Sequence, residues 1–238
     1  MNDAYRLLSE FASTFRGQVY RHRASTTGDT IAGKLYEDLY ELGRSPLFRA
    51  RVDAKTHGVS RRNAPTGIRV RRGDGAFGDF VPNIAVRQPA GRLIATGPLA
   101  AIEIGAEMKI LQKAMIKQID RVMNDMCEQA KVFRQHGAPI CIGLVGVNHA
   151  EVCTSYEADR PFRTDGSKYR HPIQEAPEAI RRLQTRVAPQ YDELLILPYS
   201  ATNEEPFPFS WQSPQTIHEQ YGALLLRVSK RYDECCAI

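Results

Sequence analysis

The most constraining segment is ICIGLVGV at 140–147, eight residues with no polar side chain among them. A strand with one wet face alternates apolar and polar residues, whereas a strand apolar throughout needs cover on both sides. The run is short and rich in β-branched residues, which suits a strand. It predicts an α/β architecture, a central mixed sheet flanked by helices, and the rest of the 238 residues must supply the covering layers. Helical stripes are expected at 3–15 (Leu7, Leu8, Phe11, Phe15), at about 29–42 (Ile31, Leu35, Leu39, stopping at Gly43) and at about 113–135 (Met115, Ile119, Val122, Met126, Phe133). Two more are expected at about 175–187 and 213–233. Within the second, Lys34 and Asp38 can pair one turn apart. Strands are expected at about 79–86, 92–96, 99–111 and 192–199. With no internal repeat or low-complexity linker, residues 1–238 read as one domain: a basic N-terminal helical region at 1–75, a core at about 29–147 and a C-terminal α/β extension at about 150–238.

Composition narrows the setting. A chain that is 42% apolar is not a disordered tail, and no stretch reaches the about 18 uninterrupted apolar residues of a membrane span. Five cysteines without C-x-x-C spacing point to reduced thiols, and acids and bases at the N-terminus replace a signal peptide's apolar centre. The expectation is a soluble cytoplasmic protein with no membrane partner. Charge is uneven: residues 1–75 hold fourteen Lys and Arg against eight Asp and Glu, so the whole +5 surplus lies in the first third. From Arg44 to Arg72 nine bases face the single acid Asp53. Such a block suits phosphates, with Arg61, Arg62, Arg69, Arg71 and Arg72 as its nucleic-acid contacts.

Chemistry concentrates in LAAIEIGAEMKIL at 99–111. Strand alternation puts Ile102, Ile104, Ala106, Met108 and Ile110 on one face and Glu103, Gly105, Glu107 and Lys109 on the other. Ionisable groups inside a covered sheet are costly unless paired or ion-bound, and in such settings they tend to be functional. Asp79, placed at the start of the expected strand 79–86, brings a third acid, while Asp74 reads as ordinary Asp-Gly turn chemistry. Asp79, Glu107 and the Met108 backbone carbonyl form an oxygen set suited to Mg²⁺ or Mn²⁺. Lys109 is positioned to hold or deprotonate an attacking water and to stabilise developing negative charge. On the following helix Lys113, Lys117 and Arg121 form a basic row that either lines a phosphate path or is the solvated side of an amphipathic helix.

An acid at a strand, Glu-x-Lys on its neighbour and a helix carrying a polar residue toward them resemble the PD-(D/E)xK nuclease superfamily, the restriction-endonuclease-like fold. The matching residues are Asp79, Glu107-Met108-Lys109 and Gln118, and Gly33 to Glu37 is similar to a G-x-x-x-E signature of many members. The resemblance covers about residues 29–147. It implies Asp79 and Glu107 as metal ligands, Lys109 as the catalytic lysine, Glu37 and Gln118 as supporting catalytic residues, and Glu103 as a second metal ligand or an oriented neighbour. It implies a Mg²⁺-dependent DNA endonuclease of the restriction or phage-defence kind, with a homodimer and an NTPase or sensor protein as candidate partners. Gly78 replaces the family's proline and Gly105 interrupts the charged face, which motivates the alternative of a catalytically inactive nuclease-fold subunit that binds nucleic acid or scaffolds a partner. The loop after 147 mixes aromatic and basic residues, among them Tyr156, Arg160, Arg163, Lys168, Tyr169 and Arg170, a mixture suited to nucleic-acid contact.

Overall fold

The computed structural model describes residues 4–21, 27–60, 65–67, 74–157 and 160–237. In chain order the elements are α1 (Arg6–Ser13), α2 (Thr27–Leu42), α3 (Pro46–Asp53), β1 (His57–Ser60), β2 (Gly75–Asp79), β3 (Ile104–Leu111), α4 (Met115–Gln135), β4 (Ile140–Asn148), β5 (Thr154–Glu157), β6 (Arg160–Arg163), α5 (Pro172–Arg186), β7 (Glu193–Ala201), β8 (Phe209–Trp211) and α6 (Pro214–Cys235). Six strands form one mixed sheet in the order β1-β2-β3-β4-β7-β8. β3, β4 and β7 run parallel, and β1, β2 and β8 are antiparallel to their neighbours. β5 and β6 form a separate antiparallel pair. No helix among the described residues is long and apolar enough to cross a membrane.

The 140–147 run is β4, buried along its whole length at the middle of the sheet. Its side chains divide between two cores. Ile140, Ile142 and Leu144 join the core under α1, α2, α3 and α6, while Cys141, Val145 and Val147 join the core under α4 and α5. β3 alternates likewise, sending Ile104, Ala106 and Met108 to the first core and Leu111 to the second. Ile102 does not follow the expected alternation: it precedes the strand and belongs to the second core.

Helix starts are chemically marked. Proline opens α3, α5 and α6, where its missing N–H has no partner to lose. Ser45 caps α3 by accepting the Phe48 N–H at 2.9 Å. The start of α4 is capped from another element: Glu175 on α5 accepts the Met115 N–H at 2.7 Å. At the end of α2, a Cβ on Gly43 would lie 2.2 Å from the Leu39 carbonyl oxygen, so glycine is required there. Lys34 pairs with Glu37 at 2.7 Å rather than with Asp38, which turns inward to α1 and α6.

The expected strands at 79–86 and 92–96 are replaced by a largely exposed loop anchored by a few buried side chains. Pro82, Pro89 and Pro98 interrupt any ladder there, and only isolated bridges such as Phe80 with Leu99 and Arg87 with Thr96 form. The apolar residues that suggested strands, Phe80, Ile94, Ala95 and Leu99, are nonetheless buried. Two corrections follow. The strand begins at Gly75, so Asp79 ends β2 instead of starting it, and the residue at its head is Asp74.

Candidate active site at the head of β2

β2 and β3 pair Gly75 with Ala106, Ala76 with Gly105 and Phe77 with Ile104. One further step brings Asp74 alongside Glu107, and the contact is direct: Asp74 Oδ2 accepts the Met108 N–H at 2.8 Å. On the other side of Asp74, the first turn of α2 approaches so closely that a Cβ on Gly28 would fall 2.2 Å from Asp74 Oδ1. The Asp-Gly turn chemistry expected at this position is thus a fixed carboxylate between a helix start and a strand.

Glu107 and Lys109 point to the α4 side of the sheet. Glu107 is 4% exposed, and Lys109 Nζ donates to its Oε1. The other oxygen, Oε2, is buried with no hydrogen-bond partner among the described residues. Burial, reinforced by the neighbouring charge of Asp74, raises the Glu107 carboxyl to about 7 despite the opposing pull of Lys109. Burial alone would lower the Lys109 ammonium, but Glu107, Asp74 and Asp125 outweigh it and raise it, so the lysine stays charged.

Asp74 and Lys109, with Met108, Gln118 and Asp125 among others, line a cavity of about 500 Å³ between β3 and α4, and Glu107 lies buried behind Lys109. Lys113, Lys117 and Arg121 also line it, which places the basic row at its wall. Gln118 is held by its Nε2 donating to the Lys113 carbonyl at 2.8 Å. A second cavity of about 300 Å³ shares Asp74 and is bordered by Asp29, Glu37 and Arg92. Glu37 is buried there, paired with Lys34 at 2.7 Å and Arg92 at 3.5 Å. It therefore stands beyond Asp74 from Lys109.

Two expected ligands lie elsewhere. Asp79 is opposite His57 on β1, five residues or about 17 Å of strand from Asp74. Glu103 precedes β3 and is occupied by Arg51 at 2.7 Å, the Tyr232 hydroxyl at 2.5 Å and His57 at 3.4 Å. That network joins α3, β1 and α6. Among the described residues no three His, Cys, Asp or Glu side chains cluster closely enough to hold a metal ion. Arg61, Arg62, Arg69, Arg71 and Arg72 lie outside the described residues.

Sequence reasoning passed over Asp74 and Asp125. Asp125 had a usable signal, being seven residues after Gln118 and so on the same helix stripe. Gly105 also acquires a reason: a Cβ there would lie 2.4 Å from the Phe133 ring, so the glycine serves the packing of α4 on β3. Compared with known proteins, the chain matches no family model, no curated protein and no solved structure.

Proposed function

We propose that the protein is a Mg²⁺-dependent DNA endonuclease with a restriction-endonuclease-like core, in which Asp74 takes the role first given to Asp79. The observation that carries this reading is the pairing of Asp74 with Glu107-Met108-Lys109 across β2 and β3, with Glu107 Oε2 buried and unpartnered. The order α2-α3-β1-β2-β3-α4-β4, antiparallel across β2 and β3 and parallel across β3 and β4, supports the same reading.

The residues suit the ion. Asp74, Glu107 and the Met108 carbonyl offer hard oxygen donors, which Mg²⁺ or Mn²⁺ prefers, and a buried carboxylate oxygen without a partner is otherwise costly. Bound there, the ion would supply Lewis-acid polarisation of the phosphodiester. A lysine that remains charged is no general base. Lys109 instead orients the attacking water and stabilises negative charge developing on the phosphate. Gln118 stands at the same wall as a hydrogen-bonding group, and Lys113, Lys117 and Arg121 hold flanking phosphates.

The test is hydrolysis of duplex DNA with Mg²⁺. Lys109→Ala and Asp74→Asn should each lower the rate by about 100-fold or more, the scale of losing a preorganised electrostatic contact. Asp79→Asn should remain within about twofold of the parent, because its site on the strand is remote. Undiminished cleavage by Lys109→Ala would sink the assignment.

A further inference from the structure

Beside the candidate active site lies a smaller cavity of about 330 Å³, and Lys113, Ala114 and Lys117 border both. Its outer wall is the loop before α5. There Tyr169, a large aromatic, is 39% exposed. Two ammonium groups approach its ring, Lys168 Nζ at 5.4 Å and Lys117 Nζ at 5.9 Å from the centroid.

The backbone that carries the ring is tied into the loop. Asp165 Oδ1 accepts the N–H groups of Ser167 and Tyr169, both at 2.9 Å. The Tyr169 carbonyl in turn accepts the N–H groups of Asp165 and Gly166 at 3.0 and 3.1 Å. The single carboxylate in the cavity lining, Glu175, accepts the Met115 N–H and so faces the start of α4. Arg170 adds a further cation. Close by, Lys113 Nζ stands 5.5 Å from the Phe162 ring on β6.

Cations around an exposed aromatic face suit a nucleic-acid strand whose bases are unstacked, because every base has a π-face and every linkage a negative charge. The cavity volume is at the small end of ligand sites, fitting one nucleotide rather than a base pair. We propose that this cavity binds one unstacked nucleotide of a single-stranded segment adjoining the cleavage site, its base on Tyr169 and its phosphates at Lys117 and Lys168. The choice of nucleic acid rests on the nuclease reading above; the preference for single-stranded extension over blunt duplex goes beyond it.

The test measures binding apart from cleavage. Fluorescence anisotropy with Ca²⁺ would compare a labelled blunt duplex with the same duplex carrying a single-stranded extension, for the parent, Tyr169→Ala and Tyr169→Phe. The parent should prefer the extended duplex. Tyr169→Ala should weaken that complex at least about fivefold and leave the blunt one unchanged, while Tyr169→Phe, which keeps the ring, stays near the parent. Equal affinity of the parent for both duplexes, binding to neither, or an equal loss on both in Tyr169→Ala would overturn the subsite. Hydrolysis with Mg²⁺ separates the two proposals. Cleavage that depends on Lys109 without any effect of Tyr169 on binding retains the nuclease and removes the subsite, whereas a Tyr169-dependent preference without cleavage does the reverse.

Discussion

Glu107 carries the most telling chemistry of any single residue, since its carboxyl is buried, adjacent to Asp74 and raised to about 7. Below about pH 4.5 it is protonated in both the folded and the unfolded chain. Between there and about pH 7 the folded chain retains a proton that the unfolded chain releases, so its contribution to stability falls as pH rises. A shift of this size is worth up to about 3 kcal/mol. Glu107→Gln keeps an oxygen for Lys109 and removes the titration. Urea unfolding should find it more stable than the parent at about pH 8, with the difference vanishing near pH 4. The proposed metal would act in the opposite sense, because a bound cation requires the ionised carboxylate. Added Mg²⁺ should therefore raise the parent's melting temperature far more at about pH 8 than at about pH 5.5, and should act weakly on Glu107→Gln.

At the scale of elements, Asp38 on α2 fixes the position of two other helices. Its carboxylate accepts the Arg6 and Leu7 N–H groups at 2.9 and 3.0 Å at the start of α1, where Tyr5 provides no side-chain cap, and the Tyr221 hydroxyl of α6 at 2.7 Å. Asp38→Ala would strand three donors in the core and should cost about 2–4 kcal/mol, read as a lower urea midpoint at unchanged slope. The sequence showed the helix but not these bonds, because a side chain 31 to 183 positions from its partners leaves no periodic trace. The same limit explains the site. Helical stripes and the alternation of β3 follow from local period, so Glu107, Lys109 and Gln118 were legible. The start of β2 was not: buried Phe80, Ile94 and Leu99 imitate strands in a loop broken by prolines, so the strand expected to start at Asp79 ends there instead.

Across the whole molecule, the basic surplus of the first third is partly used for structure. Arg49 donates to the carbonyls of Tyr40, Glu41 and Gly43 and so caps the end of α2. Arg51 binds Glu103, the Tyr232 hydroxyl and the Cys236 carbonyl, joining α3 to the end of α6. These guanidiniums have protein partners, whereas Lys117 and Arg121 line the open cavity beside Lys109. On the proposed nuclease reading, phosphate contact falls to the α4 wall rather than to α3. Counterion release makes the difference measurable, since each phosphate neutralised on duplex DNA adds about 0.9 to the slope of log affinity against log salt. Lys117→Ala and Arg121→Ala should each reduce that slope by about 1 in a KCl titration. Arg49→Ala should leave the slope unchanged and lower the urea midpoint instead, because three carbonyls at the end of α2 lose their donor. A slope that falls with Arg49→Ala but not with Lys117→Ala would move the phosphate path off α4 and back toward the N-terminal third.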